Sequence, residues 1–161
     1  AGADVVPLDP RGIAMMTRRH LDALEARAKV LKVAVDLTEA RSACDVLEAE
    51  AAVFVEEALV MVERAAEKRE AVEKLSRTLL LLERAWMFEE GLPGRGWMKS
   101  MYMSPDEDSG YASWPLPRAR WGVERGNMNA AQDGAADLAV RLGRITELLR
   151  SARMEAAALA P

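Results

Sequence analysis

The sequence predicts an all-α protein: a bundle of about four long helices with a long irregular aromatic loop between the third and last. Three observations lead there. Apolar residues recur at alternating three- and four-residue steps over most of the chain, the spacing that lines one face of an α-helix. The same stretches are rich in Ala and Leu. From Gly91 to about Asn127 the periodicity stops, and glycine, proline, tryptophan and tyrosine take over.

Asp9-Pro10 reads as an N-cap followed by proline at the first helical position, where a fixed φ and a missing donor suit the helix. Beyond it Ala14, Thr17, Leu21, Leu24, Ala28, Leu31 and Val35 form one stripe on a helix of roughly 25 residues. Asp36-Leu37-Thr38-Glu39 resembles a capping box that restarts the chain after a bend. The second helix carries Leu47, Ala51, Phe54, Ala58, Met61 and Ala65. The following "ERAAEKREAVEK" has no Gly or Pro, which leaves either a tight turn near Glu67-Lys68 or a bend in a continuous helix. Val72, Leu75, Leu79, Leu82 and Trp86 stripe the third helix. Gly91 after Glu90 reads as its C′ residue, with Pro93 barring continuation.

Pro93, Pro105, Pro115 and Pro117 punctuate the loop, with room for a short helix around residues 118–124. The last helix starts at Asn127 or Asn129 as N-cap and shows Leu138, Leu142, Ile145, Leu149 and Ala152 on its apolar face. Ala131, Ala135, Ala139 and Gly143 recur at every fourth position, a ridge of small residues that lets another helix approach closely. A structureless connection of about 35 residues is unusual in a compact domain and marks function.

At 161 residues the chain is one domain, residues 1–161, large enough to enclose a core. Its net charge of −4 gives no electrostatic case for nucleic acid. Arg118, Arg120 and Arg125 make only a small cluster, expected on a solvated loop edge. No apolar run approaches the ~20 residues that cross a bilayer; "TLLLLERAWMF" is short and carries Glu83 and Arg84. The opening "AGADVVPLDP" has no basic n-region, apolar h-region or initiator Met, so the chain is expected to be excised from a longer polypeptide. Such an origin leaves the compartment open.

Catalysis is best judged by what is missing. Cys44 is alone, which excludes an internal disulfide and a thiolate metal cluster and favours a small buried hydrophobe. His20 is the one histidine, so a site needing two imidazoles cannot be built here, and its place beside the first stripe suits a surface or partly packed role. Glu56-Glu57 and Glu89-Glu90 read as helix-face charges. No H-E-x-x-H, Walker loop or dinucleotide fingerprint occurs. No catalytic residue, metal or cofactor is expected in this chain.

The informative composition is in the loop. Trp97, Tyr102, Tyr111, Trp114 and Trp121 leave only Trp86 of the Trp and Tyr residues outside it. Such side chains combine large contact area with a polar tip, which suits interfaces and binding clefts. Plugging the open end of the bundle is the competing reading, and the two are compatible. "PDEDSG" reads as a solvent-facing turn.

"LLERAWMFEEGLPGRGWMKSMYMSP", residues 81–105, followed by "GYASWPLPRARW" to Trp121, resembles the C-terminal helical domain of the transferrin receptor and glutamate carboxypeptidase II family. In the carboxypeptidase branch a helix ends in "LERAF", passes into "GLPDRPFYRH", reaches a "Y-x-P" turn and then a "KYAG…FPG" segment. The corresponding residues here are Leu82 to Trp86, Gly91 to Arg95, Tyr102 with Pro105, and Gly110-Tyr111-Ala112. "VVPLDPRGIA", residues 5–14, resembles the family's "VLPFDCRDYA", where the chain leaves the peptidase domain. The resemblance covers nearly the whole chain and is strongest over residues 81–105.

The resemblance implies a dimerisation domain from the C-terminus of a longer protein. In the family this bundle follows a peptidase domain that holds a co-catalytic zinc pair, and two helical domains help join a homodimer. The loop also approaches the substrate pocket, where the Lys-Tyr pair of "KYAG" helps hold a C-terminal glutamate. Tyr111 matches that tyrosine and is the pocket residue by resemblance, but Gly110 stands where the lysine would be, so the charge that pairs with a carboxylate is absent. The expected partners are a second copy and the parent's peptidase domain. Trp97, Tyr102, Trp114 and Trp121, with Ala135, Ala139 and Gly143, are the expected interface residues. A membrane-anchored or secreted parent fits the resemblance, as does one that has lost catalysis like the transferrin receptor branch. A free-standing helical adaptor that binds a partner helix or peptide is the alternative reading, because both uses need the same apolar stripes.

Overall fold

The computed structural model describes residues 9–63 and 69–158. Helix α1 spans Arg11–Leu31, α2 Thr38–Glu63, α3 Arg69–Ala85, α4 Pro117–Glu124 and α5 Met128–Ala158. Between α3 and α4, β1 (Met103–Pro105) pairs antiparallel with β2 (Ser113–Pro115). The protein is therefore mostly helical, with a small sheet set into its longest connection.

On α1 the buried residues are Ala14, Thr17, Leu21, Leu24 and Ala28, the stripe expected from the spacing up to Ala28; Leu31, also expected on it, is exposed in the last turn. Asp9 Oδ1 accepts the Arg11 N–H at 3.0 Å, while helical dihedrals already begin at Pro10. The far end is shorter than expected. Lys32 adopts φ 58°, and the Val33 N–H reaches back to the Ala28 carbonyl at 2.9 Å, a Schellman closure. Val33 and Leu37 then enter the core, and Val35 lies in the connector rather than on the helix. Burying those two side chains is worth about 3–6 kcal/mol. A left-handed non-glycine residue costs about 1–2 kcal/mol. Burial wins, and the helix stops.

Only half of the expected capping box forms. Asp36 Oδ1 accepts the Thr38 N–H at 2.9 Å. The Asp36 N–H donates not to Glu39 but to Gln132 Oε1 on α5, at 2.9 Å, and Gln132 Nε2 donates back to the Asp36 carbonyl at 3.2 Å. A residue distant in sequence thus satisfies the orphan donor that a local glutamate would have taken. Along α2, Ala40, Cys44, Leu47, Ala51 and Phe54 are buried, and the Cys44 thiol donates to the Ala14 carbonyl at 3.2 Å across the contact with α1. The side chains of Ala58, Met61, Val72 and Leu75, with Ala65 and the Glu67-Lys68 junction, lie outside the described residues.

Leu79, Leu82 and Ala85 bury one face of α3, with Trp86 just beyond it. The helix ends at Ala85 and not at Glu90. The Trp86 and Met87 N–H groups bond three residues back, to the Glu83 and Arg84 carbonyls, and the chain then reverses. The Phe88 N–H meets the Lys99 carbonyl at 2.8 Å, and the Met101 N–H meets the Trp86 carbonyl at 2.8 Å. These cross-chain bonds replace the helical ones while Phe88 and Leu92 become buried. Gly91, with φ 66°, serves this reversal rather than a helix C-terminus.

Helix α5 starts from Asn127, whose Oδ1 accepts the Ala130 N–H at 3.0 Å. It packs against α2, α3 and α4 and buries Ala131, Ala135, Leu138, Leu142, Ile145, Leu149 and Ala152. At the crossing with α4 the backbones nearly touch. A Cβ on Gly134 would stand 2.4 Å from the Ala119 nitrogen, and one on Gly122 would stand 2.2 Å from the Ala131 nitrogen. The start of the small-residue ridge therefore admits α4 of the same chain. At its other end, a Cβ on Gly143 would meet nothing within 4 Å.

Candidate interaction surface

The segment from Trp86 to Leu116 is more ordered than the irregular loop its composition predicts. It makes two successive antiparallel turns. In the first, Met87 bridges Ser100 and Leu92 bridges Arg95. In the second, Ser104 pairs with Trp114, and the Leu116 N–H closes it on the Tyr102 carbonyl at 3.0 Å. Arg95 joins the two turns by donating from Nη1 to the Pro105 carbonyl at 3.0 Å. Pairing between turns leaves no helical period in the sequence to advertise it.

Glu107 anchors the second turn to α4. Its carboxylate accepts Trp121 Nε1 at 3.0 Å and Arg125 Nη2 at 2.6 Å. Arg95 Nη2 lies 3.7 Å away. The expected solvent-facing "PDEDSG" is thus divided. Glu107 points inward, whereas Asp106 shapes the tip by accepting the Ser109 N–H at 3.0 Å. That backbone bond comes first among the causes that hold the Asp106 carboxyl below its ordinary range.

The three arginines expected on a solvated edge are all engaged, because opposing carboxylates converge on them. Arg118 lies 3.8 Å over the Phe88 ring and pairs with Asp137. Arg125 binds Glu107, and Arg120 binds Glu124 at 2.5 Å. Arg27 reaches Glu124 from α1 at 2.7 Å and is the foremost cause of its lowered pKa. Of the acid pairs, Glu56-Glu57 lies on α2 as expected, with Glu56 exposed, whereas Glu89-Glu90 lies beyond the end of α3. Glu57 binds Arg153 of α5 at 3.1 Å, and Glu89 sits in a turn with Lys99 at 3.2 Å.

Beneath the first turn is an aromatic cluster. The Trp86 and Tyr102 rings lie 5.2 Å apart at 56°, and His20 of α1 meets Tyr102 edge-on at 5.5 Å and 67°. Burial lowers the His20 pKa and raises that of Tyr102. Trp86 and Tyr102 also line an open cleft of about 750 Å³, together with Gly12, Ile13 and Met16 of α1 and with Glu83, Arg84 and Met87.

The expected aromatic residues divide between the two readings. Trp97 is 72% exposed and Tyr111 96% exposed, each on a turn. Tyr102 packs against the core, and Trp114 and Trp121 are half-buried. Ala135 is buried, Ala139 partly buried against the core, and Gly143 half-buried. Glu107, Arg95 and Phe88 escape sequence reasoning because each is defined by a partner in another segment. Among the described residues no group of three or more His, Cys, Asp or Glu could hold a metal ion. Nor is any described helix long and apolar enough to cross a membrane.

A family model for the transferrin receptor-like dimerisation domain matches residues 35–150, from the connector after α1 through most of α5. No curated protein matches the chain. A mostly helical fold that holds two hydrogen-bonded turns against its core agrees with that match, and the chain belongs to the transferrin receptor-like dimerisation domain family.

Proposed function

We propose that this chain is the homodimerisation module of a glutamate carboxypeptidase-like zinc peptidase, and that the tips of its two turns, at Trp97 and Tyr111, face the parent's peptidase domain. A dimerisation domain is not catalytic by itself, and the family assignment supports the dimeric role. The observation that carries the finer reading is the exposure of Trp97 and Tyr111 on well-braced turns, at 72% and 96%. An indole and a phenol left in water on an ordered frame supply contact area that a neighbouring domain can bury. Tyr111 borders the parent's substrate pocket in this reading, with Gly110 beside it contributing no charge. In this reading the zinc pair belongs to the peptidase domain.

Two measurements test the reading. Light scattering of the chain from micromolar to millimolar concentration should show a monomer–dimer equilibrium; strict monomers throughout would count against it. The open reading frame upstream of Ala1 should encode two His and several Asp/Glu metal ligands. In that longer protein, Tyr111→Ala should raise KM more than it lowers kcat. A start codon near Ala1 would favour the adaptor instead.

A further inference from the structure

The end of α3 and the cleft beside it form one surface, and we infer that this surface is the seam where two copies meet, about a two-fold axis near Glu83 and Arg84. The inference rests on the dimerisation reading and assigns it a place.

Leu80 is 66% exposed, Leu81 44% and Met87 40%. Leu80 and Arg84 stand one turn apart on α3 and make a short ridge, and Arg84 and Met87, the latter just past the helix, line the cleft beside it. Ile13, Met16, Trp86 and Tyr102 wall the cleft itself. A two-fold axis between a ridge and a cleft on the same face sets each against the other in the second copy. The ridge of each copy enters the cleft of the other, and every contact is made twice.

Charge selects the occupant. Glu83 and Arg84 are adjacent, opposite and exposed, and neither side chain has an ion-pair partner among the described residues. Elsewhere Arg18, Arg27, Arg41, Arg120 and Arg153 all hold carboxylates. A two-fold axis between residues 83 and 84 sets each Glu83 against the other copy's Arg84. That balance matters because each chain carries a net −4, which opposes self-association unless the contact is locally neutral.

The test is a charge swap in the full 161-residue chain, read by sedimentation equilibrium. Glu83→Arg and Arg84→Glu each place like charges across the axis and should weaken the dimer about tenfold or more. The double variant Glu83→Arg/Arg84→Glu restores opposition and should recover the wild-type Kd to within about threefold. Leu80→Asp should abolish the dimer, with an unchanged thermal melt to show that the fold is intact. A dimer indifferent to all four variants would overturn the seam and leave the dimerisation reading standing. Single variants that weaken the dimer without recovery in the double would overturn the two-fold pairing. A chain monomeric at every concentration would sink both readings.

Discussion

Trp121 of α4 donates its indole N–H to Glu107 at 3.0 Å, so an acidic residue of the second turn is tied inward to a helix that follows it. The same carboxylate binds Arg125 and stands near Arg95. One side chain thereby couples both turns to α4. Replacing Glu107 with Ala strands the indole donor and leaves Arg95 without its nearest acid, at a cost of about 2 kcal/mol. That should lower Tm by about 4–8 °C for a chain of this size. Glu107→Gln keeps an acceptor and should lose less. Equal melting of wild type and the Ala variant would show that this anchor is idle.

The α4–α5 crossing makes two glycines of one helix behave oppositely. Gly134→Ala gains helix propensity worth about 1 kcal/mol, but its Cβ would collide with the Ala119 backbone at 2.4 Å. Backbone cannot rotate aside, so overpacking should prevail and destabilise the fold by about 1–2 kcal/mol net. Gly143→Ala meets nothing within 4 Å and should stabilise the chain by about 0.5–1 kcal/mol. Urea melts of the pair, with m unchanged, check both signs.

Acid sensitivity should come in two stages. The His20 pKa lies below 6.5 in the fold because burial disfavours the imidazolium. The unfolded chain therefore binds that proton first as pH falls. Stability is full above 6.5 and declines as pH drops through the folded pKa. His20→Phe should flatten that decline between pH 6.5 and the folded value. Glu124, lowered by Arg27, supports the fold above its ordinary 4.5 and loses that support as pH falls further. A stability profile of His20→Phe that tracks wild type from neutral pH to 5 would contradict the first stage.

Helical stripes were legible because their cause is local. Leu21 and Leu24, Leu47 and Ala51, and Leu142 and Ile145 stand at helical spacing, and all are buried where that spacing put them. The end of α3 was misplaced because Gly91 and Pro93 are turn residues under any arrangement, and only the Phe88–Lys99 and Trp86–Met101 bonds decide where helix gives way. For the aromatic residues, composition gathered them into one segment but did not say which way each would point.

Periodicity, turn chemistry and the succession of motifs in the amino-acid chain were enough to determine a helical domain, its apolar faces and its family. Tertiary structure decided everything that depends on two distant segments meeting. Gln132 rather than Glu39 satisfies Asp36, Glu107 turns inward to Trp121, and α4 lies against α5 at Gly122 and Gly134. The physical reason is that a helix's apolar face follows from bonds within a few residues, whereas a carboxylate or a glycine takes its role from whatever is brought beside it.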